Sequence, residues 1–153
     1  LYAFLDGIDI TKYCVPKLLE ITMSSGVFQV GETVTGTTRH IVSQQIDVVR
    51  PLLDKIGFVA LHRVKANLEP VKPKRYKSEW HYDVAINNKP CTFMTTAIYY
   101  VNTCDGYTEF DDGTRVDCIA NRFVRFSSDK KHRGVSQLNS KTKCVINLNY
   151  FTF

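Results

Sequence analysis

The chain has 153 residues, 44% of them hydrophobic and 23% charged, with a net charge of +5 and a pI near 9.0. That length holds one core and one domain over residues 1–153, the composition excludes a disordered or fibrous chain, and no apolar run nears the roughly 18 residues of a membrane span. The five cysteines (Cys14, Cys91, Cys104, Cys118, Cys144) are odd in number and lack a Cys-x-x-Cys pair, which excludes a disulfide framework or zinc cluster and fits a reducing, cytoplasmic setting.

Residues 1–37 mix short apolar runs with Pro16; a short helix around Lys17–Ile21 and strand-like alternation through Val27–Gly36 are expected there. From Thr38 to Ile56 the positions Ile41, Ile46, Val49, Leu52, Leu53 and Ile56 draw a helical apolar stripe, with Gln45 its one polar lapse. Gly57 suits the end of that helix, and Pro51 inside it predicts a kink or two abutting helices. Residues 1–56 thus read as a supporting segment, and 57–153 as the core.

After Gly57 the texture turns to strands. Phe58–Leu68 is one long extended run, and Thr92–Asn102 is rich in aromatic and β-branched residues. Short strands follow around Tyr107–Phe110, Thr114–Ile119, Arg122–Ser127, Val135–Leu138 and Lys143–Thr152. The turn signals between them are Asn87-Asn88, Asp105-Gly106, Asp111-Asp112-Gly113 and Asn139-Ser140. Many short strands at such spacing predict a mainly β fold with supporting helices, a sandwich, barrel or jelly roll. Two dense basic stretches, Lys72–Lys77 and Lys130–Arg133, read as solvated loops or as contacts to an acidic partner, nucleic acid included.

The chemistry concentrates in Trp80-His81-Tyr82-Asp83 and Lys131-His132-Arg133-Gly134. Residues two apart in an extended segment share a face, so His81 and Asp83 present an imidazole and a carboxylate side by side. His132, brought in by the fold, would complete two histidines and one carboxylate with open positions, the ligand set of non-haem Fe(II) oxygenases. A His-x-Asp alone is a common accident; a jelly roll, whose mouth lets an early strand face a late one, removes the coincidence.

From about Arg63 to Phe153 the sequence resembles the iron(II)/2-oxoglutarate-dependent dioxygenases of the prolyl 4-hydroxylase-like type, above all the small ones encoded by phages. The matching blocks are His81-Tyr82-Asp83, Thr96–Asn102, Gly106–Phe110, Asn121–Phe126, His132–Val135 and Lys143–Phe151, in that order. The resemblance implies a double-stranded β-helix, a jelly-roll variant, with His81, Asp83 and His132 as metal ligands for Fe(II). It implies that Lys143, with Lys141 as fallback, pairs with the distal carboxylate of 2-oxoglutarate, and that the Tyr100 hydroxyl helps hold that cosubstrate. The implied reaction uses O2 to convert 2-oxoglutarate to succinate and CO2 while a substrate C–H bond is hydroxylated, and Asp83 speaks against halogenation. By the same analogy the substrate is a prolyl or other side chain of a protein or peptide. A nucleic-acid-directed oxygenase of the same chemistry, a catalytically silent viral jelly-roll module, and a cupin-like protein with another metal are the alternatives. Glu69 departs from the family pattern by standing where a tyrosine is common, and it is given no role. Gly106-Tyr107 replaces the usual Gly-Gly.

Overall fold

The computed structural model describes residues 46–87 and 89–152. The expected helix at Lys17–Ile21, the strand through Val27–Gly36 and the start of the apolar stripe lie outside the described residues. Helix α1 (Ile46–Ile56) buries Val49, Leu52 and Leu53, the three- and four-residue spacing of one helical face. It runs continuously through Pro51, so the described stretch is one helix rather than two. Gly57 ends it at φ 62, a conformation that costs a glycine nothing.

Nine strands follow: β1 (Ala60–Pro70), β2 (Ala85–Ile86), β3 (Lys89–Pro90), β4 (Thr95–Tyr100), β5 (Tyr107–Phe110), β6 (Arg115–Asp117), β7 (Arg122–Ser127), β8 (His132–Val135) and β9 (Thr142–Phe151). The larger sheet has the order β1-β9-β4-β7 and the smaller β6-β5-β8, all antiparallel, with β2 and β3 as a separate hairpin. The expected strand at Val135–Leu138 instead begins at His132 and ends at Val135. Its pairing with β5 runs from Tyr107↔Val135 to Phe110↔His132 and fixes that range, and Leu138 lies exposed beyond it.

Alternation in the larger sheet builds two layers. Ala97, Tyr99 and Val101 join Cys144, Ile146, Leu148 and Tyr150 under α1, with Val64, Ala66 and Leu68 of β1 packed alongside. Ile98, Tyr100 and Val124 point the other way, against Phe110, Val116 and Cys118 of the smaller sheet. Two antiparallel sheets packed face to face, with a helix backing one of them, make the expected jelly roll.

The segment before the hairpin departs from expectation. Residues around His81 form no continuous strand; they meet β8 at two isolated bridges, Lys77↔Val135 and His81↔His132. A hydrogen bond from Ser78 N to Gly134 O lies between the bridges and one from Ser136 N to Tyr76 O lies beyond them, so the stretch lies along the free edge of β8.

Candidate metal centre

Backbone pairing sets the geometry. His81 N donates to His132 O at 3.0 Å and His132 N to His81 O at 3.1 Å, a directly opposed antiparallel pair whose side chains share a face. Asp83, two residues on, joins them. Asp83 Oδ1 lies 3.6 Å from His81 Nε2 and 3.7 Å from His132 Nε2. One donor atom from each residue falls within 4.8 Å of the others.

Both imidazoles are held the same way. His81 Nδ1 lies 2.9 Å from Glu79 O, and His132 Nδ1 lies 3.1 Å from Lys130 O. A carbonyl can only accept, so each Nδ1 carries a proton and each Nε2 faces Asp83, free to serve as a ligand in the neutral imidazole. Asp83 Oδ2 is buried and has no hydrogen-bond partner among the described residues. A buried carboxylate oxygen without a donor is costly unless something positive meets it.

The electrostatics agree. The neighbouring Asp83 carboxylate raises His81 above its ordinary 6.5, against the effect of burial. Burial holds His132 below that value, so it is neutral at pH 7. For Asp83 burial is the largest influence and works upward, but His81, His132 and Arg63 together outweigh it and keep the group ionised. Two imidazoles and one carboxylate, with no thiol among them, suit a divalent metal with open positions once His81 has given up its extra proton.

Side chains flanking the ligands brace them. The Arg133 guanidinium sits 4.2 Å from the centre of the Trp80 ring and bonds Glu109 at 2.8 Å, while Lys77 reaches the same carboxylate at 3.2 Å. The residues next to His81 and His132 are thereby tied together. Trp80 packs there and does not line the cavity.

That cavity is about 480 Å³ and opens over the triad. Among the predicted residues it is lined by His81, Asp83, His132 and Lys143. Lys143 is 5% exposed, and its Nζ donates to Val135 O at 2.9 Å and more weakly to Tyr107 O at 3.4 Å. Burial lowers its pKa, with the Glu69 carboxylate working against the shift. Lys141 is exposed and lines no part of the cavity. Tyr100 is fully buried between the sheets and does not line the cavity; its hydroxyl donates at 2.7 Å to Thr108 Oγ1, and Thr108 does line it. Glu69 also faces the cavity, across the ladder from Lys143, and pairs with Lys72 at 3.1 Å.

The sequence reading missed the polar face of β1. Arg63, Lys65, Asn67 and Glu69 line the cavity while Val64, Ala66 and Leu68 face the helix, an alternation of period two that was legible in the chain. Arg63 Nε bonds Asn149 Oδ1 at 3.0 Å, and Nη2 reaches Asp83 O at 3.5 Å.

Two solved structures share this architecture. A prolyl hydroxylase from Trichoplax adhaerens, in complex with a hypoxia inducible factor oxygen degradation domain peptide fragment, superposes with a TM-score of 0.64 at 16% identity, over 99% of this chain and 82% of its own. The fold is that of the prolyl hydroxylases. A viral collagen prolyl hydroxylase from Paramecium Bursaria Chlorella virus-1 superposes with a TM-score of 0.55 at 15% identity, over 99% of this chain and 90% of its own. No protein-family model matches the chain, and no curated protein does. Within the prolyl hydroxylase fold, the triad stands on the edge of β8 and the segment beside it.

Proposed function

We propose that this protein is an Fe(II)/2-oxoglutarate-dependent dioxygenase that hydroxylates a C–H bond of a protein or peptide side chain, a prolyl ring being the first candidate. The observation that carries it is the convergence of two Nε2 atoms and Asp83 Oδ1, beside an orphaned carboxylate oxygen, in a cavity that also holds a buried ammonium. The residues suit the metal: Asp83 Oδ1 stands 3.6 and 3.7 Å from the two Nε2 atoms, inside the roughly 4.4 Å that two donors about 2.0–2.2 Å from one ion span, and all three donors lie within 4.8 Å of one another. They suit the cosubstrate as well, because Lys143 spends its hydrogen bonds on neutral carbonyls and, among the described residues, has no carboxylate as direct partner.

His81, His132 and Asp83 would hold Fe(II), and Lys143 would take the distal carboxylate of 2-oxoglutarate. Bound together, Fe(II) and 2-oxoglutarate supply the activation of O2 that oxidises the substrate C–H bond, with 2-oxoglutarate ending as succinate and CO2. The chain does the rest. Glu79 O and Lys130 O fix the two tautomers, Arg63 steadies the Asp83 backbone, and Tyr100 holds Thr108 at the cavity wall. Phe126 and Phe110 pack against His132 and close its side of the site to water.

A peptide substrate agrees with the structural neighbours, one a prolyl hydroxylase in complex with a hypoxia inducible factor peptide fragment and the other a collagen prolyl hydroxylase. We assign the protein to the cytoplasm, that of the host if a phage encodes it; the four described cysteines are free thiols. Among the described residues no helix is long and apolar enough to cross a membrane. The test is turnover: with Fe(II) and O2 the protein should form succinate from 2-oxoglutarate, and Asp83→Ala and His132→Ala should each abolish it. Full turnover in either variant would overturn the ligand assignment, and no succinate from the wild type would overturn the function.

A further inference from the structure

The charges that the rest of the molecule neutralises are left open at one place. The two basic stretches of the sequence are largely answered by acids: Lys72 by Glu69, Arg75 by Asp105, Lys77 and Arg133 by Glu109, and Lys130 by Asp112. A polyanion needs a continuous run of available cations along its backbone, and these stretches do not supply one. Inside the cavity the situation is reversed. Arg63 and Lys65 project from the cavity face of β1, and among the described residues neither has a carboxylate within ion-pair distance.

Arg63 is already in position. Its Nε is fixed by the side chain of Asn149 and its Nη2 by a backbone oxygen, both neutral, so among the described residues three of its five N–H donors remain for a ligand. Lys65 stands opposite Asn147, whose buried Oδ1 has no hydrogen-bond partner, so the polar wall there is not closed on itself. The strand also separates this pair from the cosubstrate end. Lys143 lies opposite Glu69, four residues along β1 from Lys65, or about 13 Å at the rise of an extended chain. A dicarboxylate of cosubstrate size anchored at Lys143 leaves Lys65 to something else.

The charge tally says what that is. Among the described residues the cavity presents three cations (Arg63, Lys65, Lys143) against two carboxylates (Glu69, Asp83), a net of one positive charge. A ferrous ion and a dianionic cosubstrate cancel each other, so the loaded cavity keeps that one positive charge. Glu69 is shared with Lys72 outside the cavity, which leaves more of it. We propose that Arg63 and Lys65 form a carboxylate-binding subsite that selects peptide substrates carrying an aspartate or glutamate beside the side chain to be oxidised. This rests on the dioxygenase assignment above. The exposed Tyr82 ring at the cavity mouth supplies an apolar surface for the same segment.

The experiment is affinity selection of a random peptide library on the protein loaded anaerobically with Fe(II) and 2-oxoglutarate, for wild type, Lys65→Gln and Lys65→Glu. Lys65 is exposed, so neither substitution disturbs the core. The expected result is enrichment of Asp and Glu over the input by about fivefold, the most an exposed ion pair gives, lost in Lys65→Gln and turned toward Lys and Arg in Lys65→Glu. Recovered peptides without an acidic bias, a bias that both variants keep, or no recovered peptide would each overturn the subsite. So would a single-stranded oligonucleotide that displaces the peptides and retains its affinity in Lys65→Glu. The visible spectrum of the same loaded samples separates the two levels. A metal-to-cosubstrate charge-transfer band without acidic bias removes the subsite alone, and a missing band removes the dioxygenase assignment itself.

Discussion

Lys143→Met separates the two roles of a buried ammonium. In the wild type the Nζ is desolvated and satisfied only by two carbonyl oxygens, and burial holds its folded-state pKa below 10.5. Below that folded value the charged form is maintained at a cost, and between it and 10.5 unfolding takes up a proton, so stability rises with pH across the window. Methionine has similar length and no charge. The apoprotein should therefore be at least as stable as the wild type at neutral pH, and should lose that alkaline rise. Cosubstrate binding should move the other way. A charge-assisted hydrogen bond contributes about 1.5–3 kcal/mol, so the Kd for 2-oxoglutarate should rise about 10- to 150-fold. Thermal unfolding in the presence of Fe(II) reads both effects in one assay. At 2-oxoglutarate near 100 times its Kd the wild type gains about 2.7 kcal/mol, or roughly 5–10 °C for a chain of this size. Lys143→Met should show most of that shift erased from an equal or higher baseline. An undiminished 2-oxoglutarate shift in Lys143→Met would refute the role of Lys143.

Two further outcomes follow from the geometry. A Cβ at Gly106 would stand 2.9 Å from Val135 O and 3.0 Å from Lys143 Cδ, so Gly106→Ala should displace the lysine stem, raise the 2-oxoglutarate requirement and cost about 1–3 kcal/mol in a denaturant melt; wild-type values for both would contradict the close approach. Metal affinity should fall with pH, because His81 is held above 6.5 by Asp83 and its proton must leave before Nε2 can bind, whereas His132 is already neutral. Calorimetric titration of Fe(II) under anaerobic conditions at about pH 6 and about pH 8 checks this, and equal affinities would contradict it.

Much of the site was legible because it depends on local rules. His81 and Asp83 share a face through the period of an extended chain, and α1 and Gly57 follow from an apolar stripe with a left-handed stop. The strands β5 and β7 stand at their expected residues, bounded by the Asp-Gly turn and by Asn121, which itself takes a positive φ. What the chain did not disclose is non-local. The stretch at His81 has the residues of a strand, yet only two isolated bridges form, because β8 offers it an edge of four residues. The basic stretch Lys72–Lys77 reads as an anion-binding loop until Glu69, Asp105 and Glu109, the last two 30 and 32 positions from their partners, are folded onto it. Conversely, Arg63 and Lys65 look like ordinary strand charges until pairing with β9 turns them into the cavity.

The most direct test of the central claim is anaerobic titration of Fe(II) and then 2-oxoglutarate into the apoprotein, followed by visible absorption. A weak charge-transfer band should appear only when both are present and should be absent in His81→Ala. Iron binding without the band would contradict the cosubstrate, and a protein that binds neither would be a jelly roll without this chemistry.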